Sequence, residues 1–426
     1  TEQLKQKLND SKVLRWSVLA LVAFTMLCGY FLTDVMSPLK PMLEKELLWD
    51  SLDYGFFTSA YGWFNVFLLM LIFGGIILDK IGVRNTALLS GALMVIGAYL
   101  KYWAVSEGFT GGATDEYLKN FWNFFPFYEG MPSSAKMAAL GFMIFGCGVE
   151  MAGITVSKGI VKWFKGKEMA LAMGLEMAIA RIGVAAAVLI SPAIANMGGV
   201  KDVSRSVLFC VILLLIGFIA FCVYFVMDKK LEKQMGESGE EPIFSSKVFW
   251  IVALLCVLYY SAIFPFQKYA INMLQCNLDF TAEKAGMIFS VFPLGAAAIT
   301  PLLGNFLDRK GKGASMLIYG AFLMIICHLA FALALPALKG SIAGPIVAFT
   351  SIVLLGISFS LVPAALWPSV PKLVDNRLLG SAYAVIFWIQ NIGLFAFPMI
   401  IGKVLAAVNP GIEDPLQYNY TVPMLI

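Results

Sequence analysis

The chain has 426 residues, 60% of them hydrophobic, with a mean hydropathy of +0.81. Apolar runs of about 20 residues recur along it, which excludes a soluble globular core and points to a multi-pass helical membrane protein. The net charge of +4 does not argue for nucleic acid, because the basic residues collect between the apolar runs; the seven cysteines have neither metal-site nor disulfide-framework spacing. No nucleic-acid partner, metal, cofactor or enzymatic constellation is therefore expected.

Spans are predicted near 15–43, 53–78, 86–106, 137–160, 169–195 and 204–227, then near 248–275, 283–307, 314–337, 342–368 and 379–404. The first run follows Lys12 and Arg15 and lacks a small-residue cleavage site, so it reads as a retained span rather than a signal peptide. Residues 418–426 read as the opening of a twelfth span whose remainder is expected beyond them. A polar stretch, 228–246, separates a first half (1–227) from a second (247–426) and reads as a linker. Most Lys and Arg residues fall on one side of the alternating spans, which predicts a cytoplasmic N-terminus and linker. The long loop 107–136 then lies outside, where its aromatic cluster 121–128 suits either an interfacial turn or a cap over an entrance.

In span 1, Asp34 precedes Pro38 and is a candidate for a coupling proton or a substrate amino group, while Lys40 is expected to snorkel outward. Span 2 carries Tyr61, Trp63 and Asn65, and span 11 carries Trp388, Gln390 and Asn391. Amides in hydrocarbon need partners, so these residues are candidates for lining a cavity. Spans 4 and 5 form a hairpin about the basic turn 163–168. Glu150 and Arg181 stand at nearly equal distances from that turn, which places both at one depth, near the middle of the hydrocarbon. A charge there costs about 2.5–3.5 kcal/mol on insertion scales, so the two read as a polar site holding opposite ends of a substrate, or as a structural ion pair. Glu176 points about 140° from Arg181 on an ideal helix. It reads first as a structural partner of a neighbouring span, with a proton or gate role as the alternative. Lys268 in span 7 is expected near the outer surface as a gate or substrate residue, and His328, the one histidine, as a packing residue.

A repeat links the halves. Gly75, Asp79, Lys80, Gly82 and Arg84 follow span 2, and Gly304, Asp308, Arg309 and Gly311 follow span 8. Both stretches read G-x-x-x-D-[KR]-x-G. The glycines let helices approach, the Asp can meet a neighbouring helix's N-terminus, and the basic residues anchor the membrane face, which together make a latch between two bodies.

This repeat resembles the signature loop of the major facilitator superfamily, which implies an all-α membrane fold of two pseudo-symmetric six-helix bundles, here with the twelfth helix incomplete. Within it, VSKGIVKWFKGKEMALAMGLEMAIARIG (156–183), YYSAIFPFQKYA (259–270), ALWPSVPKLV (365–374) and LGSAYAVIFWIQNIGL (379–394) resemble the branch of major facilitator superfamily domain-containing protein 1, lysosomal transporters of dipeptides. The resemblance implies that Glu150 meets a dipeptide's amino group and Arg181 its carboxylate, with transport by facilitated diffusion. A proton-coupled peptide or organic-anion symporter, or a transporter-shaped receptor, are the alternatives. The chain lacks an obvious sorting tail, so a bacterial-type cytoplasmic membrane is favoured over a lysosomal one. Expected partners are the small-molecule substrate and membrane lipid; nothing in the sequence identifies an accessory subunit.

Overall fold

A computed structural model of the chain describes residues 7–125, 127–234 and 247–426. Among these, all regular structure is helical, and ten helices are long and apolar enough to cross a membrane. Hydrocarbon offers a backbone N–H no water, so an apolar run satisfies its polar groups by forming a helix.

The difference between eleven predicted spans and ten long helices lies in span 2. It is built from Ser51–Ser59, Ala60–Gly62 and Trp63–Phe67, breaks at Leu69 (φ +53°), and resumes at Met70. It then turns at Gly82, whose φ of +83° suits a residue without Cβ, and runs on as span 3 to Val105. Span 1 is Lys12–Asp34, span 4 Ser133–Phe164, span 5 Met169–Ala195 and span 6 Val203–Glu232. Span 7 is Lys247–Leu278, span 8 runs to Lys310, span 9 begins at Gly313, span 10 at Ala343, and span 11 is Leu379–Val408.

Spans 1–6 pack among themselves, as do spans 7–11, and the two groups meet along two seams, span 5 against span 8 and span 2 against span 11. Small residues set the closest approaches. A Cβ on Gly97 would lie 2.4 Å from the Phe145 nitrogen, so the backbones of spans 3 and 4 touch. The loops bearing Arg84, Lys165 and Arg309 mark one end of the molecule, hereafter the basic end. Leu48, loop 107–132 and Ile342 mark the far end.

Three expectations change. Span 6 continues as helix through Asp228 to Glu232, past the predicted linker boundary. Asp228 is fully buried there because Lys162, the Trp163 indole and the Tyr224 hydroxyl all donate to it. The remaining linker residues, 235–246, lie outside the described residues. Lys40 does not snorkel: it is fully buried, pairs with Glu44 at 2.9 Å, and its ammonium lies 3.4 Å from Asn272 Oδ1. The far-end loop packs along span 2, where Tyr128 donates to Asp53 and Phe125 lies against Trp63. Residues 421–425, read as the start of a twelfth span, form a short helix.

Candidate functional site

A cavity of about 100 Å³ opens between the two groups of spans. Glu150, Glu176 and Arg181 line it from spans 4 and 5, and Tyr260, Gln267 and Gln390 line it from spans 7 and 11. Equal depth therefore becomes a shared chamber for Glu150 and Arg181. The two charges do not close on each other. Tyr61, from the mid-section of span 2, donates its hydroxyl to the Glu150 carboxylate. Arg181 reaches across the seam to span 8, where its guanidinium donates to the Thr300 hydroxyl and lies 4.0 Å from the centre of the Phe359 ring. Thr300 spends its own proton on the Ala296 carbonyl, 2.7 Å away, which leaves its lone pairs for the arginine. A guanidinium on an aromatic face and a hydroxyl keeps its charge without a carboxylate. An anionic group entering the chamber finds a planar fork, and a cationic group finds the Tyr61-bound carboxylate.

Glu176 lines this same chamber rather than serving a neighbouring span. Met173, Met177, Ala180 and Val184 share its stripe of span 5, and Arg181 lies on the stripe's other edge. The 140° offset is real, but the chamber wraps that wide a face of the helix. The described residues give Glu176 no hydrogen bond or ion pair; the charge acting on it is that of Arg181.

Asp34 and Lys268 form an ion pair at 2.9 Å between spans 1 and 7, on the far-end side of the chamber. Lys268 also donates to the Thr33 carbonyl at 2.6 Å, and Tyr54 of span 2 donates to the Lys268 carbonyl at 2.7 Å. Ser37 donates to the Gln267 carbonyl at 2.6 Å. These contacts tie the first group of spans to the second at the far end.

The other amide and indole groups serve packing. Asn65 donates to the Asn391 side chain at 3.2 Å, Asn391 donates to the Phe387 carbonyl at 2.8 Å, and the Trp388 indole donates to the Val66 carbonyl at 3.2 Å. Trp388 and Asn391 thus lock span 11 to the broken part of span 2, whose freed backbone supplies an acceptor, and only Gln390 of that trio faces the chamber. Trp63 packs on Phe395 and Phe125. His328 meets the Met324 and Ala262 carbonyls, each at 3.1 Å, as a packing residue does.

At the basic end the two signature stretches differ. Asp79 accepts from Lys158 at 2.5 Å and from the backbone and hydroxyl of Ser381, at 3.0 and 2.5 Å, at the start of span 11. Gly75 makes room for this, because a Cβ there would lie 2.4 Å from the Ala384 Cβ. Arg84 pairs with Glu232, and Lys80 is exposed. In the second stretch Gly311 caps span 8 in the left-handed conformation, and Gly304 faces the Ala170 carbonyl of span 5. Asp308 and Arg309 are exposed, and the charge acting on Asp308 is that of Lys372.

Thr300, Phe359, Tyr30, Ser381 and the Lys40–Glu44 pair did not emerge from the sequence. Hydroxyls and aromatics are common in apolar spans, and nothing in their spacing marks the ones that meet an arginine.

The sequence model of the Major Facilitator Superfamily matches residues 19–398. The lysosomal dipeptide transporter MFSD1 of Bos taurus is 27% identical over 410 residues, covering 92% of this chain and 79% of that protein. Its Homo sapiens namesake is 26% identical over 408 residues, covering 92% and 80%. Among solved structures, the xylose transporter XylE from E. coli in a partially occluded inward open conformation superposes with a TM-score of 0.68 at 16% identity, covering 96% of this chain and 94% of that one. The nucleoside transporter NupG gives 0.62 at 14% identity, covering 96% and 95%.

Proposed function

This chain belongs to the Major Facilitator Superfamily and is a multi-pass membrane transporter rather than an enzyme, and we propose that it moves dipeptides or similar small zwitterions by alternating access, as facilitated diffusion. One observation carries the reading: a carboxylate and a guanidinium face one mid-membrane chamber without neutralising each other. A zwitterion supplies the missing partner to each, its amino group at Glu150 and its carboxylate at Arg181. Relatives named for dipeptide transport, at 26–27% identity, support the same substrate class. Contacts made through the substrate's termini leave its side chains to the aromatic wall, so specificity among dipeptides is broad.

In this reading the halves 1–227 and 247–426 are the moving bodies. Asp34 and Lys268 gate the far, external end, and the Asp79 and Asp308 loops latch the basic, cytoplasmic end. Because Arg181 already bridges to span 8, a carboxylate that draws it away from Thr300 alters a contact between the two bodies, and binding is thereby tied to rocking. The host membrane is a bacterial-type cytoplasmic membrane, or a lysosomal one in a eukaryote.

The deciding experiment is uptake of a labelled dipeptide into proteoliposomes. Wild type transports it, while Glu150→Gln and Arg181→Met each lose more than about tenfold while eluting as folded monodisperse protein, since each removes a charge-assisted contact. No dipeptide uptake by wild type sinks the reading; competition by dicarboxylates alone transfers it to an organic anion, and binding without counterflow to a receptor.

Glu176 favours one second reading, proton coupling. The chamber holds two carboxylates and one guanidinium, and a zwitterion brings no net charge to balance the extra carboxylate. Uptake that follows a proton gradient, and stops following it in Glu176→Gln but not in Asp34→Asn, identifies Glu176 as the carrier.

A further inference from the structure

Lys101, in span 3, is fully buried inside the first group of spans. No carboxylate pairs with it among the described residues. Its ammonium donates to the Leu32 carbonyl at 3.2 Å and lies 4.2 Å from the centre of the Phe142 ring and 5.1 Å from that of Phe57. Span 1 ends at Asp34, so Leu32 lies in its last turn, where helical carbonyls lack intrahelical partners and carry the negative end of the dipole.

That same turn is the far-end gate's anchor. Lys268 crosses from span 7 to donate to the next carbonyl, Thr33, and to Asp34. Neighbouring helical carbonyl oxygens stand a few ångströms apart, so the two ammonium groups sit within roughly 10 Å of each other. One belongs permanently to the first body; the other arrives only when the far end closes. Both ammonium groups crowd one carboxylate and one helix end.

We propose that Lys101 is a positioning residue of the transport cycle: it holds the end of span 1 in place and, by repelling Lys268 across Asp34, keeps the far-end gate from closing too firmly. When Lys268 withdraws, Lys101 remains as the counter-charge of Asp34 within the first body. A buried carboxylate and a buried ammonium then satisfy each other instead of each needing water. The role rests on reading Asp34–Lys268 as the far-end gate, not on the identity of the substrate.

The test is a pair of spin labels across the far end, on Leu48→Cys and Ile342→Cys, both exposed positions, with the exposed Cys222 changed to Ser and the six buried cysteines left in place. Double electron–electron resonance in proteoliposomes reports the open and closed far-end populations. Lys101→Gln keeps a donor for Leu32 and removes the charge. It lowers the open population about threefold or more, the scale expected when a like-charge contact in a low-dielectric interior is removed, and slows uptake. Lys101→Arg keeps the wild-type distribution. In a Lys268→Met background, Lys101→Gln has no further effect, because there is no charge left to repel. Lys268→Met alone enlarges the open population if the gate reading holds. If it does not, the gate reading fails. If it does and Lys101→Gln leaves the distribution unchanged or opens the far end, the positioning role of Lys101 is overturned. Should Lys101→Gln fail to fold, Lys101→Met measured with and without Lys268→Met gives the same cycle.

Discussion

The two signature stretches read alike in sequence and behave differently in space. Asp79 is tied to Lys158 and, across the seam, to the N-terminus of span 11, while Asp308 stands exposed at the end of span 8. The residue that precedes span 11 is Leu378, which cannot cap it with a side chain, so Asp79 acts as an N-cap supplied by another helix. Span 5 presents the matching vacancy, since Glu168 before it makes no side-chain cap either, and Asp308 does not fill it. The molecule is thus closed at the far end and latched on one side at the basic end. The motif encodes a capacity to cap; whether a given copy does so depends on where the opposite body lies.

Removing the engaged charge breaks the comparison most. Asp79→Asn keeps the shape and loses a charge-assisted pair and cap, and dipeptide uptake falls by about tenfold, corresponding to ~1.4 kcal/mol. Asp308→Asn changes uptake by less than about twofold unless the state with span 5 capped is rate-determining. Equal losses at the two positions would show that the second half-latch engages during turnover, which sharpens the comparison into an alternation.

The glycines come next. In Gly75→Ala the new methyl collides with the Ala384 Cβ at 2.4 Å, so spans 2 and 11 must separate, at a cost of about 1–3 kcal/mol. In Gly304→Ala the methyl meets the Ala170 carbonyl at 3.3 Å, and a small shift accommodates it. Thermal unfolding in detergent reads both; a Tm for Gly75→Ala equal to wild type contradicts the tight seam. The smallest expected effect is Ser381→Ala. It removes the hydroxyl on Asp79 but keeps the backbone donor, and should cost about 1 kcal/mol of stability with a matching modest loss of uptake.

Residue counting reached much of the site. Glu150 and Arg181 were brought to one depth by their distances from a tight turn, because a helix advances by a fixed rise per residue. Asp34 and Lys268 were both assigned to the far end, though nothing in either span said that they face each other. Counting failed wherever direction mattered. Glu176 was turned away from the chamber because an offset on one helix was read against an imagined narrow slot. Trp388 and Asn391 were aimed at the chamber because polar groups in a membrane need partners; their partners are the carbonyl at Val66 and the amide of Asn65 on a broken helix. Lys101 and Lys40 stand near span ends, where a lysine ordinarily reaches for water, yet both are fully buried.

From sequence alone come the membrane class, the number of crossings, the depth of each charge and the duplicated latch, because apolar length and helical rise are properties of the chain itself. Tertiary structure decides the rest: which face of each span meets the chamber, that span 2 breaks at Leu69, that Arg181 rests on span 8 and that one latch is engaged. Spans that are apolar all round carry little azimuthal signal, so their orientation is settled by the neighbours they pack against.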